Sequence, residues 1–248
     1  VIAKNTFRSA IRDRILHAML VFAFLFIGFT VFLGSISLGE DLIVIRSIGL
    51  AGIYVFGLMI TIFLSASLIY TEIERRTVYL ILSKPVSARE VIVGKFLGLW
   101  FSIGMMVALM GIIYMGVVAF KGGGFDVGAL TALMMEFLEM GLFVALVMIF
   151  STLSTPFAGT IYGVLMLYIG HSLSLLVQYA QYKGWLARAS AQVVYYIVPN
   201  LEKFNVRNAI VHHAAISLGE AALAVLYAVL SAGVLLALAT AMLQRREL

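Results

Sequence analysis

The 248-residue sequence has no cysteine, only three prolines and few charges: Asp, Glu, Lys and Arg make up 12% of it. Without cysteine, disulfides, thiol catalysis, iron–sulfur clusters and cysteine-ligated zinc are excluded together, and the redox state of the compartment goes unread. The scarcity of charge excludes a soluble globular domain, because soluble chains are about a quarter charged and about half apolar. This chain is 63% hydrophobic with a mean hydropathy of +1.09. Disorder is excluded by the same composition, and a water-soluble fold of this size could not bury so much apolar surface. The solvent for most of the chain is lipid.

What the chain has in quantity is long apolar runs. A helix needs about 20 apolar residues to cross roughly 30 Å of hydrocarbon. Runs of that length stand at 18–38, 47–70, 96–120, 127–150, 157–180 and 218–243. Between 140 and 182 there is no formally charged residue, and Ser151-Thr152-Leu153-Ser154-Thr155-Pro156 is read as the tight turn that divides this stretch. The expectation is an all-α integral membrane protein with one domain, residues 1–248, and six spans. An even number of spans brings both termini to one side. Lys4, Arg8, Arg12, Arg14, Arg75, Arg76, Lys84, Arg89, Lys95, Arg245 and Arg246 then share that side, against Arg46, Lys121, Lys183, Arg188, Lys203 and Arg207 on the other. By the positive-inside rule the termini are cytoplasmic, so the net charge of +5 is first a topology signal. The first run exceeds the roughly 7–15 residue core of a signal peptide and no A-x-A-like site follows it, so it is expected to stay as a span.

The segments between the runs carry patterns of their own. Phe7, Ile11 and Ile15 recur at i, i+4 and i+8, while Arg8, Arg12 and Arg14 fall on other faces. With Asn5 or Thr6 as cap, this spacing predicts a short helix along the inner membrane surface, its apolar stripe in lipid and its arginines near anionic headgroups. A plain cytoplasmic extension of the first span is the alternative. Between spans two and three, Glu72, Glu74, Arg75 and Arg76 form a dense charged cluster, and the apolar run 78–82 that follows is too short to span. Lys84-Pro85 ends it, since proline disfavours helix at the residue before it. Ser87-Ala88-Arg89-Glu90 reads as a capping box that starts a new helix near Ala88, which runs into span three. An apolar run facing water needs a cover, from the chain's own helices or from a partner's groove, and physics leaves the two even. Around the loop 181–217, Tyr179, Tyr182, Trp185, Tyr195, Tyr196 and Phe204 interleave with Lys183, Arg188, Lys203 and Arg207. Rings beside snorkelling cations suit the headgroup layer. Pro199-Asn200 breaks the loop, which is expected to form two short helices capping the outer mouth.

Candidate chemistry is sparse. Glu136 and Glu139 lie mid-span in the fourth run, where an ionised side chain costs about 2.5–3.5 kcal/mol on the insertion scale. At i, i+3 they share a helix face, which must point at the bundle interior or a wet cavity. They read either as a pair in contact with a substrate or proton, or as a buried polar pair bonded to neighbours such as His171, Tyr162 or Ser172. His17, His171, His212 and His213 are the only histidines and lie at unmatched depths, which disfavours haem. Adjacent His212-His213 is weak evidence for a metal. H-E-x-x-H, G-x-S-x-G and G-x-x-x-x-G-K-[ST] are all missing, so any ATP that drives this chain is bound by another. Gly94-x-x-x-Gly98 and Gly159-x-x-x-Gly163 allow close helix packing.

The stretch 72–95, with Glu72, Thr77, the apolar run, Pro85-Val86-Ser87, Arg89-Glu90 and Gly94-Lys95, resembles the signature of the membrane subunit of type-2 ATP-binding-cassette exporters. Ala88 separates Ser87 from Arg89, where that family often has arginine directly after serine. The likeness extends to the amphipathic start, the six spans, the turn after span four, and Pro199-Asn200-Leu201 with Phe204. Within the family, the permease of the nitrous-oxide reductase maturation transporter is loosely similar, which fixes no substrate.

The resemblance implies a permease that is not itself an enzyme. Two copies of it would pair with two cytoplasmic ATPase subunits, which carry ATP and Mg, while this chain binds no cofactor and no nucleic acid. Glu72, Glu74, Arg75, Arg76, Thr77, Tyr79, Leu82, Lys84 and Pro85 would form or flank the coupling helix seated on the ATPase. Phe7, Arg8, Ile11, Arg12 and Ile15 would belong to the interfacial connecting helix, and the outer loop would cap the path, with room for an extracytoplasmic accessory protein. The resemblance places the protein in the cytoplasmic membrane of a prokaryote. Glu136, Glu139 and His171 are the candidates for lining the path. One rival is a stand-alone secondary transporter or channel, which would favour inverted repeats; no convincing repeat relates residues 2–120 to 121–248. The other is an intramembrane enzyme, which lacks a nucleophile and base at facing depths.

Overall fold

The computed structural model describes residues 1–37, 41–74, 87–211 and 216–246, and every regular element among them is a helix. In chain order these are α1 (Ile2–Ile11), α2 (Arg14–Ile36), α3 (Asp41–Glu74), α4 (Ala88–Phe120), α5 (Val127–Leu153), α6 (Pro156–Gln181), α7 (Trp185–Ile197), a 3-10 turn at Glu202–Phe204, α8 (Arg207–Val211) and α9 (Leu218–Arg246). Six of them, α2 to α6 and α9, are long and apolar enough to cross a membrane. Six crossings return the chain to the side on which it began. That side is called the terminal side below, and the opposite one, which carries α7, the loop side.

Two spans are much longer than hydropathy predicts. The runs at 47–70 and 96–120 sit inside helices of 34 and 33 residues, each about 50 Å long at about 1.5 Å per residue. That exceeds the hydrocarbon by about 20 Å. The helices continue through charged turns because helix propensity does not require apolar residues: Lys, Glu and Arg are good helix formers. The start of α4 is the predicted capping box, with Ser87 Oγ accepting from Glu90 N at 3.3 Å and Glu90 Oε2 accepting from Ser87 N at 3.0 Å.

The amphipathic start differs from the expected single stripe. The helix begins at Ile2, so neither Asn5 nor Thr6 caps it. It stops after Ile11 because the Asp13 carboxylate accepts from Ile15 N at 2.9 Å and caps a new helix. Ile15 therefore belongs to α2, where it is exposed, and of the expected stripe only Phe7 and Ile11 lie on α1, each partly buried. The face of α1 that packs is Thr6 and Ala10. It lies on α4 where Gly98 leaves no side chain: a Cβ there would stand 2.6 Å from Ala3 O. The Gly94–Gly98 pair thus serves to seat α1.

α5 is the central post. From 135 to 149 every residue except Phe137 is buried. On one flank Trp100 of α4 stacks on Phe137, with ring centroids 4.7 Å apart and planes 3° from parallel, and its Nε1 donates to Phe137 O at 3.2 Å. On the other, α6 approaches backbone to backbone, since a Cβ at Gly159 would fall 2.7 Å from Ser151 N. The turn between α5 and α6 is tighter than the expected six residues. Only Ser154 and Thr155 are non-helical, and Thr155 caps α6 with Pro156 in its first turn. At the loop-side end, Gly122 (φ 81°) and Gly124 (φ 66°) occupy the left-handed region that L residues rarely adopt. They reverse the chain from α4 into α5, which Asp126 caps through Ala129 N at 3.1 Å.

Candidate functional site

The buried glutamates find their partners on the loop side of the bundle. Glu136 and Glu139 sit one turn apart on α5 and are each 1% exposed. α3 supplies Tyr54, whose hydroxyl donates to Glu139 Oε1 at 2.7 Å. α6 supplies His171, whose Nε2 lies 2.9 Å from the same oxygen. Of the partners expected from sequence, His171 is correct and Tyr162 is not: Tyr162 is half exposed and packs on the Phe150 ring instead.

The remaining partners come from a segment that folds back into the bundle. After α7, Asn200 N donates to Tyr227 Oη at 2.7 Å and Leu201 N donates to Gly170 O at 3.3 Å. Leu201 and Phe204 are wholly buried. Phe204, expected in the headgroup layer, instead plugs the space between α5 and α9. This anchoring turns Glu202, Asn205 and Arg207 inward. Glu202 Oε2 lies 3.0 Å from His171 Nδ1, and its Oε1 accepts from Asn205 Nδ2 at 3.1 Å. The Arg207 guanidinium lies 3.7 Å over the Tyr54 ring, donates from Nε to Asn205 Oδ1 at 3.3 Å, and stands 3.9 Å from Glu136 Oε1. Arg207 is thus not one of the snorkelling surface cations its sequence neighbourhood suggests.

The result is a polar clasp between three spans and one folded-back segment. It holds three carboxylates, one guanidinium and one imidazole, with a phenol at the centre. Neither oxygen of Glu136 has a hydrogen-bond partner among the described residues, so this carboxylate is held by charge alone. Chemically the clasp offers exchangeable protons and a dense set of pairs that can be made or broken. Among the described residues no group of three or more His, Asp or Glu could hold a metal ion. Nearer the loop-side rim a second pair joins α3 to the start of α5: Arg46 Nε lies 3.2 Å from Asp126 Oδ2, and Arg46 Nη2 donates to Gly123 O at 3.2 Å.

Tyr54, Glu202, Asn205 and Arg207 were not legible as site residues. Their only signal was Pro199-Asn200, which marked a break without saying that the chain turns inward. The other candidates fall elsewhere. Arg75, Arg76, Thr77, Tyr79, Leu82, Lys84 and Pro85 lie outside the described residues, as do His212 and His213. Glu72 and Glu74 end α3, at the same terminal side as the charged first turns of α4. Arg8 on α1 and Arg12 at its C-terminal cap are both exposed.

Compared with protein families, the chain matches that of the ABC-2 family transporter proteins over residues 1–248. With six spanning helices and a match over its whole length, the chain belongs to that family and is a multi-pass membrane permease of an ABC transporter. Among curated proteins nothing matches it.

Proposed function

We propose that this permease is the moving membrane half of a transporter whose ATP is hydrolysed by a separate cytoplasmic subunit, seated on the segment between α3 and α4. The observation that carries this reading is the overrun of those two helices. On the terminal side α3 continues about 6 Å past its apolar run to Glu74 and α4 begins about 12 Å before its own at Ala88, and they are the pair flanking the charged stretch 75–86. Two stiff rods that leave the membrane together are suited to transmit a push from an engine on the terminal side as a rigid-body tilt. The terminal side is then cytoplasmic, in agreement with its excess of lysine and arginine. The membrane is the cytoplasmic membrane of a prokaryote, two copies face each other, and the path runs at their seam.

In this reading the folded-back segment 200–207 is the outer closure of the path, and Glu136, Glu139 and His171 act through it. The burial of both glutamates and the pairing of Glu139 with His171 suit a closed exit better than direct contact with cargo. A stand-alone secondary transporter is the weaker reading, since membership of the ABC-2 family speaks for an ATP-driven machine.

The test is to replace Arg76 and Tyr79 with alanine together. The ATPase is expected to be lost from the purified complex while the spans remain inserted. An intact complex with wild-type ATP turnover would remove the coupling assignment.

A further inference from the structure

The clasp holds a number of protons that its geometry fixes. His171 lies between two carboxylates, with Nε2 2.9 Å from Glu139 Oε1 and Nδ1 3.0 Å from Glu202 Oε2. An ionised carboxylate only accepts hydrogen bonds, and a neutral imidazole has one N–H and one bare lone pair. Tyr54 Oη touches both sides of the Glu139 contact, 2.7 Å from Oε1 and 3.0 Å from His171 Nε2. Its single proton can fill one of those gaps. With a neutral ring, one close contact to the carboxylate then has no hydrogen in it. The closed arrangement therefore holds one proton more than a neutral imidazole, a phenol and two carboxylates carry together. The count is the same wherever in the group that proton rests.

The two carboxylates belong to different parts. The Glu139 side chain is 2% exposed on α5, whereas that of Glu202 is 43% exposed on the folded-back turn. The proton thus joins the turn to the bundle and reaches solvent through Glu202. The other charged groups near it are already engaged. Glu136 of α5 faces Arg207, Arg207 lies on Tyr54, and Lys203 leans over the Tyr227 ring at 4.2 Å.

Resting on the reading of segment 200–207 as the outer closure, we infer that the closure is proton-locked: a proton shared by Glu139, His171 and Glu202 holds it shut, and losing that proton to the exterior frees it. The sign follows from linkage. The closed form binds a proton that the open form gives up, so the closed-to-open ratio falls as pH rises, by at most about tenfold per pH unit. An acidic exterior keeps the exit shut, and an alkaline one lets it open.

The test uses the complex with its ATPase in lipid nanodiscs and the absence of native cysteine. Leu201 is fully buried and Ser190 exposed, so the labelling rate of L201C divided by that of S190C, with a polar maleimide, reports opening and cancels intrinsic thiol reactivity. The ratio is expected to rise severalfold between about pH 6 and about pH 8 in the otherwise unchanged chain. In an E139Q background it should stay low and flat, because the amide donates to a neutral ring and closes the clasp without the extra proton. In an H171Q background it should be high and flat. An unchanged pH slope in E139Q, or no slope in the parent, overturns the lock. If the ratio responds to trapped nucleotide but not to pH, the lock falls and the closure stands. If it responds to neither, the closure falls with it.

Discussion

Arg207 and Glu136 stand 3.9 Å apart, Nε to Oε1, with the carboxylate 2% exposed and without a hydrogen bond between them. The guanidinium donates from Nε to Asn205 and lays its face on Tyr54, so with no hydrogen bond to the glutamate it acts on it through charge. Removing one partner of a buried pair leaves the other uncompensated, at about 3–5 kcal/mol. R207A is accordingly expected to destabilise the protein by that order, and E136Q by less. The double variant should recover a large part of the loss, with a coupling of about 0.5–3 kcal/mol. Unfolding of the four proteins in one detergent measures it, and strictly additive losses would contradict the pairing.

Asp126 combines two roles that substitution can separate. Its carboxylate caps α5 at Ala129 N and pairs with Arg46. D126N keeps the cap and loses the ion pair, while D126A loses both. The alanine variant should be about 1 kcal/mol less stable than the asparagine one, the usual worth of such a cap. Equal melting would mean that the cap contributes nothing there.

The seat of α1 rests on a missing side chain. At Gly98 a Cβ would stand 2.6 Å from Ala3 O, a backbone atom that cannot swing away. G98A is therefore expected to lift α1, at about 1–3 kcal/mol for overpacking, and to speed hydrogen exchange along residues 2–11 without altering that of α5. F7A, on the flank of the same helix, should leave that exchange unchanged in α4 and α1 alike. Unchanged exchange of α1 in G98A would contradict the docking.

The sequence revealed the spans better than the helices. Hydropathy reports the hydrocarbon slab, so it located 47–70 but missed the turns by which α3 extends past it, whereas the capping signal already carried the third span back to Ala88. The capping box at Ser87 was legible because its signal is local, and the break at Asp13 is just as local but was masked by the Phe7–Ile11–Ile15 period. The packed face of α1 went unnoticed because Thr6 and Ala10 are too small to stand out in an apolar pattern. At the site, Glu136 and Glu139 were recognisable since two carboxylates at i, i+3 in a span must face inward. Their partners were hidden by distance along the chain: Tyr54 lies 85 residues from Glu139, and Glu202 lies 31 from His171. No periodicity announces a loop that folds back.

The most direct test of an exit closed by residues 200–207 is a staple between Gly170 and Leu201. A Cβ built at Gly170 stands 2.9 Å from Leu201 Cγ and 2.9 Å from Pro199 O, so G170C/L201C sets two thiols side by side with a small outward shift of the segment that is common to both nucleotide states. The measurement is the cross-link yield in the complex with its ATPase, oxidised at one pH with and without ATP and vanadate. Nucleotide trapping is expected to lower the yield severalfold as the segment leaves α6. Equal yield in both states would show that the segment does not move in the cycle, and that the clasp is scaffold and not exit.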